Sequence, residues 1–210
     1  MITGLDHVAI AVSDFDGAVD GWRRLFGREP ELAPGGGARR AWFVFPNMAL
    51  EVIAAEGEGP AGDRVRARIA EAGEGHWLTA FAVDDVAATA RLLARRGLEV
   101  ETSDAVAWVR AAGLTFLLTP AGARPVSKPV GQAETAVAAL DHIVVHTPNP
   151  DRALGLYGAK FQMDLRLDRA NEAWGARQLF FRCGEGVFEV GASLKAPVGD
   201  GPDGFGGLAW

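Results

Sequence analysis

One short pattern recurs along this chain and constrains its fold more than any other feature. Leu5-Asp6-His7 stands near the start, Leu140-Asp141-His142 repeats it, and a third histidine, His76, lies between them at nearly equal intervals. Each histidine begins an apolar, β-branched run that leads into a helix-start signal. A period of this length is typical of a tandem array of one supersecondary unit. The sequence therefore predicts three successive modules.

Hydrophobic periodicity predicts the element order β-α-β-β-β within each module. The alternating run from Leu5 to Val12 predicts a strand, Asp14 an N-cap, and Phe15 to Phe26 an amphipathic helix. Residues 1–56, 74–120 and 139–193 are predicted as modules, with a linker over 121–138. Residues 194–210 are predicted as a second linker followed by the first strand of a truncated fourth module.

Composition narrows the possible partners and compartments. The formal net charge of −6 disfavours nucleic-acid binding, because a phosphate-binding surface normally shows a basic excess. Because the chain has a single cysteine, Cys183, it cannot form an internal disulfide. Cys183 is predicted to be a small buried residue on a strand. Without a signal peptide or an apolar run long enough to span a membrane, the sequence predicts a cytoplasmic protein with no membrane partner.

The repeated Leu-Asp-His strand, the Asp-capped helix and a glutamate on the fourth strand resemble the vicinal oxygen chelate superfamily, which contains glyoxalases, bleomycin resistance proteins, epimerases and extradiol dioxygenases. This resemblance implies an α+β fold, in which tandem βαβββ modules pair into curved mixed β-sheets with helices on the outer face. Pairing of the first module with the second is the simplest topology. Pairing of the third module with either of the others remains open.

In this superfamily, the first and fourth strands of paired modules supply the ligands of a divalent metal. Carried over by position, the resemblance implies His7, Glu51 and His76 as metal ligands, with His142 and Glu189 as a possible second site or alternative pairing. The fourth-strand position of the second module is assigned to Phe116, which cannot bind a metal. Two imidazoles and one carboxylate suit Fe, Mn, Co, Ni or Zn.

Several other side chains are candidates for the substrate cleft. Trp42, Trp108 and Phe116 are predicted to line it, although core packing explains each of them as well. Tyr157 is predicted to pack in the core. His146 lies on the same strand face as His142 and is either an acid-base group or a polar strand end. The arginines Arg39, Arg40 and Arg110 either receive an anionic substrate or are solvated strand ends.

The resemblance favours a divalent-metal-dependent, glyoxalase-like lyase or isomerase that chelates a small oxygenated substrate through vicinal oxygens. The alternatives are a non-catalytic binding protein for an antibiotic-like molecule, an extradiol-type ring-cleaving dioxygenase, and a degenerate or truncated protein. No catalytic residue is assigned. Because a third module would otherwise leave a sheet edge open, a homo-oligomer is also predicted.

Overall fold

The computed structural model describes residues 1–103, 105–122 and 137–210. Its strands and helices follow the predicted module order closely. In chain order they are β1 Ile2–Ala11, α1 Phe15–Phe26, β2 Glu31–Leu32, β3 Ala38–Val44, β4 Ala49–Ala55, α2 Pro60–Ala72, β5 Gly75–Val83, α3 Val86–Arg95, β6 Glu99–Ser103, β7 Val106–Ala111, β8 Leu114–Pro120, β9 His142–His146, α4 Pro150–Ala153, a π-helical segment Leu154–Lys160, β10 Asp164–Asn171, β11 Ala176–Cys183, β12 Gly186–Ser193 and β13 Gly204–Ala209.

The strands form two mixed sheets. The eight-stranded sheet has the order β2-β3-β4-β1-β5-β8-β7-β6, and the five-stranded sheet has the order β10-β11-β12-β9-β13. Strand β1 runs parallel to β4 and β9 runs parallel to β12, whereas the β3–β4, β7–β8 and β11–β12 hairpins are antiparallel. The predicted α+β class with mixed sheets is confirmed.

The third module repeats the strand order of the first. The order β10-β11-β12-β9 matches β2-β3-β4-β1, and β13 lies beside β9 as β5 lies beside β1. A strand is therefore present where the first strand of a fourth module was predicted. The module boundaries themselves remain predictions, and most of the predicted linker over 121–138 lies outside the described residues.

Each of the three equivalent helices begins at a side chain that accepts a backbone hydrogen bond. Asp14 accepts from the N–H of Gly17 at 3.0 Å, and Asp85 accepts from that of Ala88 at 2.8 Å. Asn149 caps α4 in the same way. Such caps satisfy a backbone donor that the first helical turn leaves free. They also give a fixed reference point for comparing the modules.

The chain divides into two compact units, each with its own apolar core. One contains Asp6–Thr79, where Phe26 contacts the rings of Phe43 and Phe45. The other contains Met1–Leu5, the second module from Ala80 onwards, and Asp141–Trp210. No helix in the described parts of the chain has both the length and the apolar character needed to cross a membrane.

Candidate functional site

His7 and Glu51 form a buried pair in the first module. Glu51 on β4 stands beside Ala9 on β1, so His7, two residues earlier on β1, lies on the same face of the sheet. The Nε2 atom of His7 lies 3.7 Å from Oε2 of Glu51, and the side chains are only 6% and 8% exposed. Nδ1 of His7 lies 2.7 Å from Oδ1 of Asp6. Because a carboxylate only accepts, Nδ1 carries the proton and Nε2 points towards Glu51.

Arg40, on the neighbouring strand β3, contacts the glutamate of this pair. Its Nε atom lies 2.9 Å from Oε1 of Glu51, and its Nη1 donates to the carbonyl of Gly35. Burial raises the pKa of the Glu51 carboxyl, while the nearby His7 and Arg40 oppose that rise. Trp42 also contacts this site, with its ring edge-on to His7 at a centroid distance of 4.9 Å. The negative charge of the Glu51 carboxylate is therefore already balanced by the guanidinium of Arg40.

His142 and Glu189 repeat this pair in the third module, in a more open setting. Nε2 of His142 lies 3.1 Å from Oε2 of Glu189, and the two side chains are 23% and 12% exposed. Nδ1 of His142 lies 2.8 Å from Oδ2 of Asp141, as in the first module. Gln178 on β11 donates from Nε2 to Oε1 of Glu189 at 2.8 Å. In this module, the neighbouring strand therefore contacts the glutamate with a neutral amide, Gln178, rather than with an arginine.

A cleft of about 720 Å³ opens beside Glu189 and Gln178. His146 also lines it, and most of its other lining residues are small, among them Gly175, Gly191 and Gly204. His146 stands beside Gly191 in the β9–β12 register. A Cβ atom added at Gly206 would come within 2.5 Å of the His146 Nε2. Glycines next to His146 thus leave room for its imidazole at the edge of the cleft.

His76 does not occupy the position that His7 and His142 share. Those two histidines stand seven residues before the helix caps Asp14 and Asn149, whereas His76 stands nine residues before Asp85. Leu78 is the residue at the corresponding position. The Nε2 of His76 donates to the carbonyl of Leu78 at 3.1 Å, and burial lowers the pKa of His76 to about 3.

The second hairpin of this module also differs from the predicted alignment. In the β11–β12 hairpin, Glu189 is three residues beyond Gly186, which pairs with Cys183 across a two-residue turn. The β7–β8 hairpin has the same turn length, so Leu117 corresponds to Glu189. Trp108, opposite Leu117, corresponds to Trp42. The second module therefore carries leucines, Leu78 and Leu117, where the other two carry a histidine and a glutamate.

Phe116 lies on the opposite face from Leu117 and is fully buried. It stacks on Phe81 and contacts the rings of Tyr157, Phe161 and Phe188. This aromatic packing does not support the predicted role of Phe116 in lining a substrate cleft. The fourth strand was aligned one residue out of register, and a shift of one residue exchanges the two faces of a strand.

Within residues 1–103, 105–122 and 137–210, no three His, Cys, Asp or Glu side chains lie together as a group able to hold a metal ion. The predicted set of His7, Glu51 and His76 is thus not brought together. What the structure does bring together is one imidazole and one carboxylate in each of two modules. An ion at either pair would take its other ligands from water, from a substrate or from outside the described residues.

The structure also shows the surroundings of Tyr157, Cys183 and Arg39. Tyr157 is buried, as predicted, and its hydroxyl donates to Asp203 at 2.9 Å. Cys183 is buried on β11, and burial raises its pKa to about 12. Arg39 pairs with Asp16 and Glu56 at the surface. Sequence reasoning missed the contacts of Arg40 and Gln178 with the two glutamates, because both contacts depend on cross-strand register.

The profile of the Glyoxalase/Bleomycin resistance protein/Dioxygenase superfamily matches residues 6–118, which is more than half of the chain. The chain belongs to this superfamily. The resemblance to the vicinal oxygen chelate superfamily that the Leu-Asp-His pattern predicted is confirmed. The glyoxalases and dioxygenases in its name agree with the predicted class of metal-dependent enzyme. A comparison of the sequence with curated proteins gives no match.

Two solved structures with TM-scores above 0.5 share the fold at low sequence identity. A variant of 4-hydroxymandelate synthase from Streptomyces coelicolor has a TM-score of 0.73 and 18% identity, covering 99% of this chain and 71% of that chain. A fusion of a xylose isomerase-like TIM barrel with 4-hydroxyphenylpyruvate dioxygenase has a TM-score of 0.64 and 17% identity, covering 99% of this chain and 36% of that chain. Methylmalonyl-CoA epimerase from Mycobacterium tuberculosis is 25% identical, covering 57% of this chain and 89% of that chain, with a TM-score of 0.48.

Proposed function

We propose that the chain is a divalent-metal-dependent, glyoxalase-like lyase or isomerase that binds a small oxygenated molecule through two vicinal oxygens. We place its metal at His142 and Glu189, rather than at the predicted set of His7, Glu51 and His76. The observation that carries this proposal is the convergence of His142 Nε2 and Glu189 Oε2, 3.1 Å apart, at an accessible pair next to a cleft. Membership of a superfamily named for glyoxalases and dioxygenases supports the same class of chemistry.

The donor set of this site fits a first-row divalent ion. An imidazole nitrogen and a carboxylate oxygen suit Fe, Mn, Co, Ni or Zn, and the resemblance does not select among them. Asp141 accepts a hydrogen bond from Nδ1 of His142, so a metal would bind through Nε2, which faces Glu189. Gln178 orients the carboxylate through its other oxygen. A bound metal would act as a Lewis acid towards the substrate oxygens.

His146 is the group in this cleft best suited to move a proton. Glu189 pairs with Val144, and His146 lies two residues further along β9, which corresponds to about 7 Å. His146 and Glu189 therefore lie on the same face of the sheet, and both line the cleft. Because one imidazole nitrogen can accept a proton while the other donates one, His146 is our candidate acid-base residue.

A non-catalytic binding protein is the second candidate function. It is favoured by one observation, that the described residues offer two metal donors at this site rather than three. In that case Glu189, Gln178 and His146 would bind a ligand by hydrogen bonds alone. The extradiol dioxygenase alternative is disfavoured, because the enzymes on which it is based have a tyrosine near the substrate. The only tyrosine of this chain, Tyr157, is buried against Asp203.

The test is elemental analysis of the protein purified without chelator or a nickel column, together with Glu189→Gln and His142→Gln variants. We expect about one divalent ion per chain in the wild type and its loss in both variants. Glu51→Gln is the matched control and is expected to keep the metal. Added metal should raise the melting temperature of the wild type and of Glu51→Gln only. If neither bound metal nor such a shift is found, the binding-protein alternative replaces this proposal.

A further inference from the structure

We infer that the positive charge of Arg40 prevents a metal ion from binding at His7 and Glu51, so that the residue at this β-strand position decides which His–Glu pair binds metal. The first module has Arg40 there and the third has Gln178. The Gln178 half of this inference rests on the proposed metal site at His142 and Glu189. The Arg40 half stands independently of it.

The register of the strands makes Arg40 and Gln178 equivalent. Glu51 stands opposite Trp42 on β3, and Glu189 stands opposite Phe180 on β11. Arg40 and Gln178 each lie two residues before these partners, hence on the same face as the glutamate. Each contacts the Oε1 atom of its glutamate, at 2.9 Å and 2.8 Å.

The two sites share the arrangement of their other polar contacts. Each has an aspartate that binds Nδ1 of the following histidine, and each histidine turns its Nε2 towards Oε2 of the glutamate. In each pair, the histidine lies on a first strand that runs parallel to the fourth strand, which carries the glutamate. The main chemical difference at the glutamate is therefore a permanent positive charge in one module and a neutral amide in the other.

The positive charge of Arg40 opposes the binding of a second cation at Glu51. The guanidinium is always charged, and it lies against a carboxylate that is almost completely buried. A divalent ion between His7 and Glu51 would stand within a few ångströms of that charge, where little water screens the repulsion. Arg40 is also anchored by the carbonyl of Gly35, so it is held in place. Gln178 donates a hydrogen bond to Glu189 without neutralising the negative charge of the carboxylate.

Two reciprocal substitutions in the full chain test this inference, with Co(II) as the probe. Binding is followed by the visible absorption of the ion and by elemental analysis. We expect Arg40→Gln to create a new Co(II) site that disappears again in Arg40→Gln/Glu51→Gln. We expect Gln178→Arg to weaken Co(II) binding at Glu189 by roughly tenfold or more.

Matched controls separate charge from shape. Arg39→Gln removes the same charge from the adjacent surface ion pair with Asp16 and should create no site. Gln178→Met removes the hydrogen bond to Glu189 without adding charge, so it should weaken Co(II) binding less than Gln178→Arg does. Thermal unfolding checks that every variant folds. If Arg40→Gln does not fold, Arg40→Met supplies the uncharged side chain instead.

The outcomes distinguish this inference from the proposed function. A folded Arg40 variant that gains no Co(II) site overturns the inference, even if the wild type binds Co(II) at Glu189. A wild type that binds no Co(II), with an Arg40 variant that binds it at Glu51, supports the Arg40 half while the proposed function fails. Wild-type binding that is lost in Glu51→Gln overturns both. Unchanged binding in Gln178→Arg overturns the Gln178 half.

Discussion

At the scale of single residues, burial sets the protonation state of His76. Burial lowers its pKa to about 3, because the charged imidazole would lose its water. The neutral ring donates from Nε2 to the carbonyl of Leu78, which fixes its tautomer. The neutral imidazole forms a local hydrogen bond at the start of β5. Its protonation therefore affects the stability of the protein rather than ligand binding.

We predict that His76 makes the protein less stable in mild acid. The unfolded chain protonates His76 near its ordinary pKa of 6.5, whereas the folded chain does not until about pH 3. The unfolded state therefore binds more protons between these values, and the free energy of unfolding falls as the pH falls through this window. Relative to wild type, His76→Gln should gain about 3 kcal/mol on going from about pH 7.5 to about pH 4.5.

Urea unfolding at the two pH values measures this gain. His146→Gln, which removes an exposed histidine on β9, is the control for the loss of an imidazole. A stability difference between wild type and His76→Gln that stays constant with pH would contradict the prediction.

His76 also shows where residue-scale prediction failed. The histidine itself was used to align the second module, although the cap Asp85 places Leu78 at the equivalent position. Counting back from the cap would have found this from sequence. No such signal existed for Arg40, because its contact with Glu51 depends on the pairing of β3 with β4. Register is a tertiary property, and composition does not encode it directly.

At the scale of elements, one buried carboxylate ties the third module's helix to the segment before β13. Asp203 accepts from the hydroxyl of Tyr157 at 2.9 Å and from Arg152 at 2.6 Å. Its backbone N–H donates to the carbonyl of Ala112 at 2.7 Å. Burial and the nearby carboxylate raise the pKa of Tyr157 well above its usual value, so its hydroxyl remains a donor. These contacts connect residues far apart in sequence.

We predict that Tyr157→Phe destabilises the protein by roughly 1–3 kcal/mol, because Asp203 loses a hydrogen bond inside the protein. Urea denaturation of Tyr157→Phe, Asp203→Asn and the double variant measures the coupling between the two side chains. We expect the double variant to lose less stability than the sum of the single variants. Additive losses would mean that the hydroxyl contributes nothing through Asp203.

The elements that sequence predicted well are those with a local signal. Asp14, Asp85 and Asn149 begin helices, and the apolar run after Phe205 forms β13. The π-helical segment Leu154–Lys160 was not predicted. Tyr157 was predicted to pack in the core, but a wider helical turn changes no hydrophobic spacing strongly enough to be read from one sequence.

At the scale of the whole molecule, repetition made the fold predictable while the site was only partly so. Two copies of Leu-Asp-His marked two modules, and both of their histidines meet the predicted glutamates, Glu51 and Glu189. The second module kept the architecture but carries Leu78 and Leu117 at the corresponding positions. A fold tolerates such replacements because core packing maintains it, whereas a site depends on each side chain.

The predicted homo-oligomer also belongs to this scale, and the five-stranded sheet indicates which edge would form it. Strand β10 at one edge carries Asp164, Arg166 and Asp168, and charges of this kind protect an edge from pairing. Strand β13 at the other edge, Gly204–Ala209, carries no charged side chain. Within the described residues, no strand pairs with its outer side.

We therefore predict that the chain self-associates through β13, because β13 lacks the charged side chains that keep an edge strand such as β10 from pairing. Light scattering coupled to size-exclusion chromatography should give a mass above 22.2 kDa that rises with concentration. Leu208→Lys on β13 should reduce this mass to that of one chain. Leu165→Lys on β10 adds the same charge to the other edge and should leave the oligomer intact. A monomeric wild type rules out self-association, and an oligomer that only Leu165→Lys disrupts assigns it to β10, because a lysine acts against pairing only at the edge that pairs.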